Sequence, residues 1–191
     1  MAFTESGGTS LDEWHTDRLC RLVSAGGAAD FSDGMRAEVL SGVLAIGKNR
    51  SPSTRNEKNQ TVFPDKTYEF CGRNYRCELV YLDKWENNQK VHKNLLKNAL
   101  DYDKIIGNIL LRSRQAADAY HPAGRGCGKT LKKLFQEAAL PSFERACVPV
   151  LVDDGGIVLV AGFGCDRRVA PDERTKRLLL FCEYEKTGEA D

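Results

Sequence analysis

The chain has 191 residues, 41% of them hydrophobic, which is enough for one sizeable domain or two small ones built around a real core and marks a soluble globular protein. With 28 Lys and Arg against 27 Asp and Glu the net charge is +1, so no global excess of charge points to a partner, and any attraction to nucleic acid must come from a local patch. No apolar run approaches the roughly 20 residues that cross a bilayer, which argues against a membrane partner, and the start MAFTESGGTSLDEW lacks a signal peptide's basic and apolar regions, so a cytoplasmic location is expected.

In chain order, LDEWHTDRLCRLV places Leu11, Trp14, Leu19 and Leu22 near helical spacing and stops at Gly26-Gly27, predicting one helix. FSDGMRAEVLSGVLAIG reads as a turn at Asp33-Gly34 and two short strands around Ser41-Gly42. From Lys48 to Thr61 the chain is almost without apolar groups and cannot offset the entropy of ordering, so a long loop or linker is expected. KTYEFCGRNYRCELVYL alternates on either side of Cys71-Gly72-Arg73-Asn74 as a β-hairpin does. VHKNLLKNALDY repeats Val91, Leu95 and Ala99 every four residues and predicts a short helix.

IIGNILLRSR, from Ile105, has strand character, and strand geometry would put Arg112 and Arg114 on one face. TLKKLFQEAAL predicts a helix over Thr130 to Leu140, with Leu131, Leu134, Phe135 and Ala138 on one side and Pro141 as its stop. PVLVDDGGIVLVAG is two apolar strands joined at Asp154-Gly155, and RLLLFCEYE is a last strand before an acidic tail. Connections this short suit antiparallel pairing, so the fold class is α+β with mostly antiparallel strands.

The segment HPAGRGCGKTLKKLF contains Ala123-x-x-x-x-Gly128-Lys129-Thr130, a relaxed spelling of a phosphate-binding P-loop. A P-loop needs a buried strand feeding into the glycines, and QAADAYHP, with Pro122, is a poor one. The matching acidic strand PVLVDD ends where a hairpin turn is expected. The physical content remains: Lys129, Lys132 and Lys133 form one stripe in the helix's first turn, where the helix dipole disfavours cations, and Gly124, Gly126 and Gly128 leave amides accessible ahead of it. From Lys104 to Arg145 eight basic residues stand against three acidic ones, so the neutral chain carries a basic segment. If its charges share a surface, a nucleic-acid backbone is the expected ligand; the plain alternative is a solvated helix face.

LLRSRQAADAYHPAGRGCGKTLKKLFQEAALPSFERACVPVLVDDGGIVLVAG resembles the C-terminal domain of bacterial tRNA(Ile)-lysidine synthetase over residues 90 to 182. The likeness rests on Arg112, Arg114, Ala117-Asp118, Gly124 to Gly128, Lys129 with Lys132-Lys133, Leu140-Pro141, Arg145, Pro149-Val150-Leu151, Asp153-Asp154 and Gly162, in order and spacing. One departure is Ala117, where the family carries Gly; if that glycine has a positive φ, the turn here must differ. The resemblance implies an α+β domain built around an unusual β-sandwich, shared with a β-subunit domain of phenylalanyl-tRNA synthetase.

It implies residues 1–47 as the run-out of a preceding substrate-binding region, 48–61 as a linker, 62–183 as a tRNA-binding domain and 184–191 as an acidic tail. Arg112, Arg114, Lys129, Lys132, Lys133 and Arg145 would hold tRNA phosphates, assisted by Arg125, Gly126 and Gly128. The family's enzyme uses ATP and magnesium in a catalytic domain to convert the wobble cytidine of tRNA(Ile) to lysidine. SGGTSLD at Ser6 to Asp12 lacks that domain's Asp-Ser ending and reads as a disordered N-terminus. The chain is therefore expected to be catalytically inert alone, to hold no cofactor, and to have tRNA(Ile) and a catalytic domain, in cis or in trans, as partners. A small NTP-binding enzyme using Gly128-Lys129-Thr130 is the alternative, and a degenerate fragment that only packs against a partner is a third.

The remaining chemistry-bearing residues carry less. The seven cysteines include no C-x-x-C pair, so reduced and mostly buried thiols are expected, without a disulfide framework or a zinc site. His15, His92 and His121 lack partners at metal-ligand spacing, Asp153-Asp154 reads as turn chemistry, and Tyr68, Tyr75 and Tyr81 as packing.

Overall fold

The computed structural model describes residues 12–48, 59–82 and 98–185. The chain divides into two compact units: residues 1–51 with 133–147, and residues 52–132 with 148–191. The segment 133–147 packs with the first unit.

In the first unit, helix α1 (Glu13–Ala25) starts where the Asp12 carboxylate accepts the His15 amide at 2.8 Å, and it ends on Gly26, whose φ of +75° lets the chain turn out of the helix. A three-stranded antiparallel sheet follows, in the order β1 (Gly27–Asp30), β2 (Met35–Leu40), β3 (Val43–Lys48). Ser41 and Gly42 close the β2–β3 hairpin with φ of +49° and +80°, the left-handed pair that a two-residue turn demands. Leu22 of α1 packs with Ala29, Phe31, Met35 and Ala37, and Leu19, Val39, Leu44 and Ile46 flank them. β1 went unpredicted because Gly-Ala-Ala-Asp has no strand propensity of its own; pairing with β2 makes it a strand.

The same unit takes in residues 133–147 through Glu38, a buried carboxylate on β2. It accepts Arg36 Nε at 2.6 Å, the Ser142 amide at 2.8 Å and the Ser142 hydroxyl. Phe143 lies so close to Gly47 that a Cβ there would collide with its ring.

The second unit holds two antiparallel sheets. One has five strands in the order β13 (Gly164–Cys165), β12 (Gly156–Val160), β11 (Val150–Asp153), β8 (Ile109–Arg112), β4 (Gln60–Val62). The other has four, in the order β5 (Lys66–Phe70), β6 (Arg73–Tyr81), β14 (Arg177–Tyr184), β7 (Ala99–Asp101). β14 buries Leu178 to Phe181 in succession, the mark of a strand covered on both faces, and Phe181 stacks on Tyr75 with centroids 5.2 Å apart. Each such side chain contributes about 2 kcal/mol by burial. The fold is α+β with mostly antiparallel strands, as expected.

Two expected helices differ in part. The helix read over Val91 to Tyr102 lies outside the described residues up to position 97, and Ala99–Asp101 is strand β7, hydrogen-bonded to β14. The helix read over Thr130 to Leu140 is shorter: α2 spans Leu131–Glu137, and Ala139 at φ +50° closes it, with the Leu140 amide donating to the Phe135 carbonyl. A further short helix, α3 (Ser142–Arg145), follows Pro141.

Candidate functional site

The basic segment begins at the end of β8. Arg112 is the last residue of that strand, so Arg114 lies beyond it and the alternation that would put both on one face no longer applies. Arg112 turns onto Asp118, donating from Nη1 at 2.7 Å and from Nη2 at 2.9 Å, while Nη1 also reaches the Ser113 carbonyl. Only 12% of its side chain and 11% of the Asp118 side chain remain exposed, whereas Arg114 is exposed. The two arginines thus differ in role: one builds the loop and the other stands on it.

Asp118 ties this loop from both ends, taking the Gln115 amide at 2.7 Å with its carboxylate and the Leu131 amide, at the start of α2, with its carbonyl at 2.8 Å. Burial raises the Asp118 pKa, but the Arg112 fork, the Gln115 amide and the Arg112 and Arg114 charges outweigh it, so the carboxyl sits below its usual value. Ala117 has φ +67°. The position thus takes a left-handed conformation without glycine, at a steric cost of about 1 kcal/mol.

The glycine loop is the mouth of a small hairpin, β9 (Ala119–Tyr120) with β10 (Lys129–Thr130), in which Lys129 pairs with Tyr120. A P-loop runs from strand through glycines into helix; here the chain returns to a strand before α2 begins, and Lys129 is half-buried in that ladder. Asp153, the apparent metal-binding partner, has a fully buried side chain that accepts the Ile106 and Gly155 amides and a fork from Arg168 at 3.0 and 2.7 Å. It is turn and core chemistry. Within the loop, Gly124 at φ +75° fills the turn that the Arg125 amide closes onto the Pro122 carbonyl, and Gly128 lies against the His121 ring. Arg125, Gly126 and Gly128 are exposed.

One residue that the sequence reading passed over holds this loop. Asp166, buried just after β13, accepts the His121 amide at 2.7 Å with one oxygen and caps a short 3-10 turn, Arg167–Val169, through the Arg168 amide at 2.8 Å with the other. Its own neighbours add main-chain bonds: the Arg167 amide to the His121 carbonyl at 2.7 Å and the Ala123 amide to the Cys165 carbonyl at 2.9 Å. Asp-Arg-Arg could be read as a turn start, but nothing local names a partner so far back in the chain.

Lys132 and Lys133 are both exposed on α2, and the boundary between the two units falls between them. Arg112, Arg114, Arg125, Gly126, Gly128, Lys129 and Lys132 therefore lie in the second unit. Lys133 and Arg145 lie in the first, where the Arg145 Nε donates to the Leu140 carbonyl at 2.9 Å. Among the described residues no group of three or more His, Cys, Asp or Glu side chains is placed to hold a metal ion, and no helix is long and apolar enough to cross a membrane.

An α+β unit of antiparallel sheets with an exposed basic loop stitched to the end of a central strand is the kind of domain these residues define. Residues 109–182 match the family model described as the TilS substrate C-terminal domain, and the chain carries a domain of that family. A tRNA(Ile)-lysidine synthase of Solibacter usitatus is 37% identical over 158 residues, which cover 81% of this chain and 35% of the relative. Another, from Caldanaerobacter subterraneus subsp. tengcongensis, is 35% identical over 86 residues, 45% of this chain and 18% of the relative. The chain thus spans about a third or less of the length of these two relatives. The crystal structure of a TilS C-terminal domain superposes with a TM-score of 0.55 at 21% identity, covering 69% of this chain and all of that one, which shows the shared fold.

Proposed function

We propose that this chain is the tRNA-binding part of a tRNA(Ile)-lysidine synthase, holding the tRNA backbone while a catalytic domain outside the chain carries out the ATP-dependent conversion of the wobble cytidine. The observation that carries this reading is the exposure of Arg114, Arg125 and Lys132 along one stitched segment of a domain of this family. Asp118 fastens the Arg114 loop to the start of the Lys132 helix. Exposed cations held on a fixed backbone suit phosphates, which position a nucleic acid without reading its sequence.

In this reading Arg114, Arg125 and Lys132 are the phosphate ligands of the second unit, with Lys129 at the hairpin end. Arg112 supports them, because its guanidinium is committed to Asp118. Lys133 and Arg145 act from the first unit. The partners are tRNA(Ile) and a catalytic domain, in cis or in trans; ATP and magnesium belong to that domain, in a cytoplasmic, soluble enzyme.

The test is fluorescence anisotropy of a labelled tRNA(Ile) transcript titrated with the full chain at low salt. Binding that weakens about tenfold or more in the triple variant Arg114→Ala, Arg125→Ala, Lys132→Ala supports the reading. Equal binding by both proteins, or affinity for ATP lost with Lys129→Ala in place of affinity for tRNA, contradicts it.

A further inference from the structure

We infer that Asp166 is a positioning residue for nucleic-acid binding: its buried carboxylate sets the loop that presents Arg125 to phosphate. The inference rests on the tRNA-binding reading above. The chain of contacts is short. Asp166 fixes the His121 amide, the Arg167 amide returns a bond to the His121 carbonyl, and the Ala123 amide is held by the Cys165 carbonyl. Pro122, between those two anchored residues, supplies the carbonyl that receives the Arg125 amide. The position of Arg125 on the loop is thus determined three residues away from its own side chain.

Asp166 is only 8% exposed, so water cannot take over as acceptor; an asparagine there keeps one acceptor oxygen but turns an NH2 donor against the second main-chain amide, which breaks one of the two anchors. A lysine or arginine on a loosely held loop still attracts phosphate, but ordering that loop on binding costs entropy. Clamping the loop removes that cost beforehand.

This role separates from plain electrostatics by sign. Asp166 carries a negative charge beside a basic loop, and burial and the Asp166 charge both raise the Tyr120 pKa while Arg125 lowers it, so the two charges act on one neighbourhood. Neutralising an acid there should, by charge alone, strengthen binding of a polyanion. Positioning demands the opposite.

The experiment measures binding of a tRNA(Ile) transcript to the full chain across a salt series for the wild type, Asp166→Asn, Arg125→Ala, Lys132→Ala and the doubles. Asp166→Asn should weaken binding about tenfold. Its salt slope should stay near the wild-type value, because Arg125 still reaches its phosphate in the complex, whereas Arg125→Ala should lower the slope by about one unit. Combined with Arg125→Ala it should add little, whereas combined with Lys132→Ala the two effects should multiply. Ala123→Pro supplies a second variant without any change of charge: proline suits the second position of the Pro122–Arg125 turn, yet it deletes the amide held by Cys165. It should weaken binding about threefold, and it decides the matter if Asp166→Asn does not fold. Binding by Asp166→Asn equal to or tighter than wild type, or unchanged binding by Ala123→Pro, overturns the inference while Arg125→Ala and Lys132→Ala still weaken binding. If the wild type binds no tRNA, or if neither of those two controls weakens it, the functional reading fails first and the inference falls with it.

Discussion

Arg112 and Asp118 meet as a two-pronged ion pair at 2.7 and 2.9 Å, with both side chains nearly nine-tenths buried. Arg112→Ala leaves the Asp118 carboxylate enclosed without its partner and should cost about 3 kcal/mol, read as a fall in the urea midpoint. Arg112→Lys should recover little, because an ammonium cannot reproduce the fork. Arg114→Ala, by contrast, should leave the midpoint within about 0.5 kcal/mol of wild type.

Ala117 holds a left-handed φ of +67° in the loop that Asp118 closes. Ala117→Gly should raise stability by about 1 kcal/mol in the same denaturation experiment, with the slope unchanged. A loss of stability would show that the alanine methyl contributes more in contacts than its backbone costs.

Acid should weaken both units. Burial raises the pKa of Asp118 and of Glu38, yet the fork from Arg112 on the first, and Arg36 with Ser142 on the second, carry each net below its ordinary value. A carboxyl with a lowered folded pKa contributes stability that is complete above its unfolded value of about 4 and is lost as pH falls through the folded value. Melting temperatures should therefore hold from neutral pH down to about 5 and drop below about 4. Asp118→Asn should flatten that drop while lowering the plateau.

Asp153 separates structural from metal-binding chemistry. Its enclosed carboxylate satisfies two amides and the Arg168 fork, so Asp153→Asn should cost about 3 kcal/mol of stability. Magnesium should shift the melting temperature of neither the wild type nor the variant. A magnesium-dependent rise that vanishes in the variant would restore the nucleotide-binding reading.

The hairpins were legible because their turns carry chemistry in the sequence itself: Ser41-Gly42, Cys71-Gly72 and Asp154-Gly155 all sit between alternating or apolar runs, and all join paired strands. Elements shorter than their own period were not legible. β9, β10 and β13 have two residues each, too few to show an alternation. Ala99 shares the four-residue spacing of Val91 and Leu95, yet pairing with β14 makes residues 99–101 a strand. At the candidate site the basic residues were visible and their division of labour was not. That Arg112 is committed and Arg114 exposed depends on where β8 ends. That Asp166 holds the loop depends on a partner 45 positions away, which no local pattern reports.

The most direct measurement is the salt dependence of tRNA(Ile) transcript binding by the full chain and by the three single variants Arg114→Ala, Arg125→Ala and Lys132→Ala. Backbone binding through these residues predicts a linear fall of log affinity with log salt, and a slope reduced by about one unit in each variant. Affinity insensitive to salt, or slopes identical to wild type in all three, would contradict it.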